Sequence, residues 1–141
     1  MVQILLVEDD PHDVELTLEA FARHHLGNRV RVARDGEEAL GYLFGTEEGG
    51  ELRNRPKLVL LDLKLPLVDG IEVLRRLKAD ERTRRIPVVV LTSSREESDL
   101  AECYQLGVNS YIVKPVDIEQ FLETTSVLGM YWVLLNEPPV E

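Results

Sequence analysis

The sequence predicts a doubly wound α/β sandwich on a parallel sheet, and three observations carry that prediction. Short apolar runs rich in branched residues alternate five times with segments whose apolar residues recur at helical spacing. The runs are almost uninterrupted rather than alternating with polar residues, as befits strands covered on both faces. The segments between them open on capping residues and close on glycine or polar turns, so each strand leads into a helix and back.

Val2 to Val7 reads as the first strand, and Asp10-Pro11 starts the first helix, the carboxylate as N-cap and proline in the first turn. Val14, Leu18, Phe21 and Ala22 follow on one face, and Gly27 closes the segment. Val30 to Ala33 is the second strand and Gly36 to Phe44 the second helix. Gly45 to Lys57, a mostly polar connection, reads as a solvated loop. Leu58 to Leu61 is the third strand, with Ile71, Leu74 and Leu77 marking the third helix. Ile86 to Leu91 is a strand, Ser94 to Leu106 a helix opened by the box Ser94-x-x-Glu97, Tyr111 to Val113 the last strand, and Asp117 begins a final helix.

At 141 residues the chain is one domain, and 44% hydrophobic with 30% charged residues is enough to bury a core. Sixteen basic against 26 acidic residues give a net charge of −10, which repels nucleic-acid backbones and anionic membranes alike. Cys103 stands alone and so makes no internal disulfide; it reads as a small core residue. The start lacks the features of a signal peptide and no apolar run approaches the ~18 residues of a membrane helix, so a cytoplasmic protein is expected.

In a doubly wound sheet the ligand site lies at the carboxyl ends of the strands. Those ends carry Glu8, Asp9 and Asp10, then Asp62, then Thr92 and Ser93, then Lys114-Pro115. Carboxylates crowded in this way are costly unless a hard cation binds them, and oxygen ligands of this kind are those Mg²⁺ uses. A Mg²⁺ site is therefore expected.

The runs Leu6-Val7-Glu8-Asp9-Asp10, Leu60-Leu61-Asp62-Leu63-Lys64-Leu65-Pro66, Leu91-Thr92-Ser93-Ser94 and Val113-Lys114-Pro115 together resemble the receiver domains of bacterial two-component response regulators, over residues 1 to about 128. The resemblance implies a flavodoxin-like (βα)5 sheet in strand order 2-1-3-4-5. It also implies that Glu8 and Asp9 hold Mg²⁺ with Asp62 and the backbone carbonyl of Lys64, and that Asp62 is the phosphoacceptor. Thr92 matches the switch hydroxyl, Lys114 the lysine that meets the phosphoryl group, and Tyr111 the aromatic that changes rotamer. The phosphodonor implied is a phosphohistidine on a sensor histidine kinase; His12, His24 and His25 of this chain have no evident part in it.

Each residue also has a plainer reading. Asp62 taken alone would be a turn or cap residue, but Leu63-Lys64-Leu65-Pro66 is no helix start. Thr92 could be a β-residue with a locally satisfied hydroxyl, Lys114-Pro115 a surface turn, and Tyr111 a core aromatic. Asp10 falls outside the acidic pair and suits the cap of the first helix. Two other functions remain open: a docking module that needs no phosphorylation, and a flavin-binding electron carrier of the same fold. Glu8-Asp9-Asp10 would repel a flavin phosphate, and Lys64 replaces the second aspartate an aspartyl-phosphate hydrolase needs.

A narrower resemblance lies in the polar insertion before Arg55-Pro56-Lys57 and in the ending Gly129 to Pro139. Both are similar to the stand-alone regulators of phytochrome-type histidine kinases. In Val127 to Leu135 eight of nine residues are apolar, more than one buried helix stripe can absorb. Residues 129–141 are accordingly expected to extend the last helix and form a homodimer through Met130, Tyr131, Trp132, Val133 and Leu134.

Overall fold

The computed structural model describes residues 4–23, 30–45, 55–65, 67–92, 97–114, 117, 119–121 and 123. The described elements are β1 (Ile4–Val7), α1 (Pro11–Arg23), β2 (Val30–Ala33), α2 (Gly36–Phe44), β3 (Leu58–Asp62), α3 (Gly70–Ala79), β4 (Val88–Thr92), α4 (Glu97–Gln105) and β5 (Ser110–Val113). All strand pairs are parallel and the order is β2-β1-β3-β4-β5. The expected doubly wound sheet is thus present, with its expected strand order.

Alternation along each strand divides the core. Leu5, Val7, Val59, Leu61, Val88 and Val90 face one side, under Leu40 and Leu43 of α2, Leu74 and Leu77 of α3, and Cys103 of α4. Ile4, Leu6, Leu58, Leu60, Val89, Leu91 and Ile112 face the other, under Phe21 of α1 and Phe121. The Phe21 and Phe121 rings lie 4.7 Å apart, so the buried stripe of α1 seats directly on the segment that follows β5. Because β1, β3 and β4 are buried on both faces, they show the unbroken apolar runs read in the sequence.

The element boundaries differ from expectation in instructive ways. β3 and β4 each extend one residue further, so Asp62 and Thr92 are the last residues of their strands rather than the first beyond them. β4 begins at Val88, two residues late, because the Ile86 N–H donates to the Thr83 carbonyl in a turn and Pro87 has no N–H to give. Asp10 caps α1 as expected, accepting from the His12 and Asp13 N–H groups at 2.8 and 3.3 Å. Asp35 caps α2 by accepting from the Glu38 N–H at 2.7 Å, while the Glu38 carboxylate reaches back to the Arg34 N–H at 3.0 Å. Gly27, Ser93, Ser94, Pro115 and the proposed dimer residues Met130, Tyr131, Trp132, Val133 and Leu134 lie outside the described residues. Among the described residues no helix is long and apolar enough to cross a membrane.

Candidate functional site

Parallel register brings the carboxyl ends of β1, β3, β4 and β5 to one edge. Val7 pairs with Leu61, Asp62 with Leu91, and Thr92 with Val113, so Glu8, Asp62, Thr92 and Lys114 all lie at or one residue beyond the last rungs of adjoining strands. The Glu8 N–H donates to Ala33 and the Lys114 N–H to Thr92, at 3.0 and 2.8 Å, so the ladder continues through the site residues and holds them.

The Lys114 ammonium is the centre of the arrangement. It donates to Glu8 Oε1 at 2.9 Å, to Asp62 Oδ2 at 3.1 Å and to Asp13 Oδ2 at 3.1 Å. Asp62 Oδ1 accepts in turn from the Lys64 N–H at 3.1 Å. Both oxygens of Asp62 are therefore aimed, and the residue is only 4% exposed. Glu8 is buried beneath it and Asp9 is exposed at the mouth. One oxygen from each of Glu8, Asp9 and Asp62 lies within 4.8 Å of the others. Three carboxylates converging on one point, with too little positive charge beside them, are the donor set a hard divalent cation takes.

Sequence reasoning found Glu8, Asp9, Asp62, Thr92 and Lys114, and the structure brings them to one edge. It missed Asp13. A carboxylate in the first turn of a helix reads as a partner for the helix dipole, and only the tertiary fold shows it reaching Lys114. Tyr111 packs partly buried on the α2–α3 side of the sheet, with its ring edge-on to Tyr104 at 6.4 Å. Lys64 reaches the site through its backbone, its side chain being exposed.

Burial, and next the hydrogen bond and charge of Asp62, push the Glu8 carboxyl up to about 7, while Lys114 pulls partly back. Burial would lower Lys114, but its hydrogen bonds to Glu8, Asp13 and Asp62 outweigh that and raise it, so it stays charged. Glu8 carries a pH signature. Its folded-state value lies above that of the unfolded chain, so the fold holds the extra proton and the stability linked to Glu8 falls as pH rises from about 4.5 to about 7, then levels. In chelator, Glu8→Gln should gain melting temperature over the wild type across that window and hold a constant lead above it. A constant difference from pH 5 to 8 would contradict this environment for Glu8.

Two glycines let the β3–α3 connection close over the site. A Cβ on Gly70 would stand 2.3 Å from the Asp62 carbonyl oxygen, and one on Gly36 would stand 2.2 Å from that of Val68. Leu67 between them has φ 66° and is 76% exposed. That backbone is uncommon for a leucine; close by, the Gly70 N–H donates to the Leu63 carbonyl at 3.1 Å and the Asp69 cap accepts from the Ile71 N–H at 3.0 Å.

The signature of the response regulator receiver domain matches residues 4–126. The chain belongs to that family. Among solved receiver structures, the bacteriophytochrome response regulator AtBRR is 54% identical, with 97% of this chain and 99% of that one covered and a TM-score of 0.81. The probable methanogenesis regulatory protein FilR2 of Methanothrix harundinacea is 46% identical over 96% of this chain and 86% of its own length. The response regulator Rcp1 of Synechocystis is 38% identical over 92% of this chain and 88% of its own length. A crystal structure of Rcp1 in a Mn²⁺-bound form matches with a TM-score of 0.73 at 35% identity, covering 99% of this chain and all of that one. Receiver membership fits the acidic cluster, and it implies a histidine kinase as partner.

Proposed function

We propose that this receiver takes a phosphoryl group from the phosphohistidine of a sensor kinase onto Asp62 and signals through protein–protein contacts. The observation that carries the reading is the doubly held Asp62 carboxylate, one oxygen on the Lys64 N–H and the other on the Lys114 ammonium. Phosphoryl transfer asks mostly for alignment and for charge to meet the equatorial oxygens. An Asp62 oxygen forms the new O–P bond as the P–N bond to the donor imidazole breaks, its electron pair returning to that nitrogen. Lys114 neutralises a phosphoryl oxygen. Glu8, Asp9, Asp62 and the Lys64 carbonyl would hold Mg²⁺, which when bound supplies two further positive charges. The same groups serve water in the self-catalysed return of Asp62 to the free acid.

Transmission runs through Thr92 and Tyr111. Thr92, buried at the end of β4, turns its hydroxyl toward the phosphoryl oxygens; Tyr111 then rotates into the space released and reshapes the surface that it shares with Tyr104. The likeness to AtBRR favours a phytochrome-type kinase as donor. Incubation with a small acyl phosphate and Mg²⁺ should add one acid-labile phosphate, visible by mass spectrometry and absent in chelator. Label should pass faster from a phytochrome-type kinase than from unrelated ones. No phosphate from either donor would overturn the phosphoacceptor reading, and equal rates from all kinases the narrower one.

The apolar ending supports a homodimer through Met130, Tyr131, Trp132, Val133 and Leu134, with residues 1–128 as the receiver proper. At ~1.5 to 3 kcal/mol per large apolar side chain, a few such residues per subunit offset the cost of association. Sedimentation should show dimers at micromolar concentration and monomers after truncation at Leu128. A monomeric full chain, with and without phosphodonor, would end this reading.

A further inference from the structure

The Lys114 ammonium has three protons, and Glu8, Asp13 and Asp62 take one each. A phosphoryl oxygen on Asp62 competes with these acceptors for the ammonium, and even if it takes over the bond that Asp62 makes, the other two still hold the ammonium in its resting place. Glu8 is 1% exposed and belongs to the carboxylate cluster that fits a cation, so it is fixed from beneath. Asp13 is different. It sits on α1, its side chain is 27% exposed, and it has no place in the cluster of Glu8, Asp9 and Asp62. Its carboxylate draws the ammonium toward α1 and adds a negative charge where an anionic donor must arrive.

We propose that Asp13 is a positioning residue that competes with the phosphoryl oxygens for Lys114 and so sets how much phosphodonor is needed to phosphorylate Asp62. The inference rests on the phosphoacceptor reading. Asp13 acts as a brake, holding Lys114 in the resting site and yielding it as the phosphoryl group binds. A partly exposed ion pair of this kind is worth a few-fold in an equilibrium and is screened by salt.

The test compares wild type, Asp13→Asn and Asp13→Glu, each with Mg²⁺ and a small acyl phosphate, scoring steady-state phosphate on Asp62 by mass spectrometry. Asp13→Asn should reach half-occupancy at roughly two- to fivefold less donor than wild type at low salt. Asp13→Glu, which keeps the charge, should stay near wild type. The ratio between wild type and Asp13→Asn should shrink toward one as salt rises, a trend that loss of a purely structural contact would not produce. Equal half-occupancy at low salt, or a greater donor requirement in Asp13→Asn, overturns the proposal. A wild type that takes no phosphate overturns the phosphoacceptor reading itself, so the two failures are distinguishable.

Discussion

Asp62→Asn should abolish phosphate incorporation and at the same time make the metal-free protein more stable. The first effect follows from chemistry, since an amide oxygen is no nucleophile toward phosphorus and leaves Lys114 with nothing to transfer against. The second follows from charge. Glu8, Asp13 and Asp62 surround one ammonium, and one oxygen from each of Glu8, Asp9 and Asp62 lies within 4.8 Å of the others. At an effective dielectric of about 20, each such repulsion is on the order of 3 kcal/mol and the lost attraction to Lys114 about 5 kcal/mol. Above about pH 7, where Glu8 carries its charge, two repulsions relieved against one attraction lost leave a gain on the order of 1 kcal/mol, and the asparagine oxygen can still accept from the Lys64 N–H. Thermal melts in chelator at pH 8 should show a higher midpoint for the variant, and Mg²⁺ should then raise the wild type more than the variant. Persistent label in the variant, or a lower midpoint in chelator, would contradict the site as described.

Gly70→Ala should be among the most damaging small substitutions in the described fold. The added methyl would meet the Asp62 carbonyl oxygen at 2.3 Å, the Leu63 Cα at 2.6 Å and the Leu63 carbonyl oxygen at 2.7 Å. All three are backbone atoms, so no side chain can swing aside and either α3 or the end of β3 must move. Overpacking of this kind costs about 3 kcal/mol or more where the backbone itself is displaced. The displaced atoms include those that aim Asp62, so the phosphorylation rate should fall by roughly tenfold to a hundredfold even in the folded fraction. Gly41→Ala supplies the contrast, since nothing lies within 4 Å of its added carbon and it occupies the middle of α2. That change should stabilise by about 0.5 to 1 kcal/mol and leave phosphorylation unaltered. Matching losses in the two variants would refute the close approach at Gly70.

The fold was legible because strands buried on both faces leave an unmistakable imprint. Ile4 to Val7, Leu58 to Leu61 and Val88 to Leu91 are apolar at every position, and helical spacing takes over between them. The site was legible for a related reason: in a parallel sheet the residues that end the strands must meet, so Glu8, Asp62, Thr92 and Lys114 could be gathered without coordinates. What lay beyond reach is whatever depends on how helices seat on the sheet. Glu8 and Asp9 are adjacent acids in sequence, yet one is buried and the other exposed: Glu8 still hangs on the sheet through its N–H on the Ala33 carbonyl, and Asp9 lies one residue further out. Asp13 joins Lys114 only through the seating of α1. The need for glycine at Gly36 and Gly70, and the left-handed backbone of Leu67, reflect a loop path that local sequence does not announce.

The three bonds of Lys114 span 106, 101 and 52 residues of chain, so the site is among the last features that can close during folding. β5 must dock on β4, β4 on β3 and β3 on β1 before the ammonium meets its acceptors. A half-assembled chain has a lone Asp62 with no counter-ion and no aligned partner, and it is chemically inert to a phosphodonor. Competence to receive a signal therefore doubles as a check on assembly: the site exists only where β1, β3, β4 and β5 have come together with α1 seated on them.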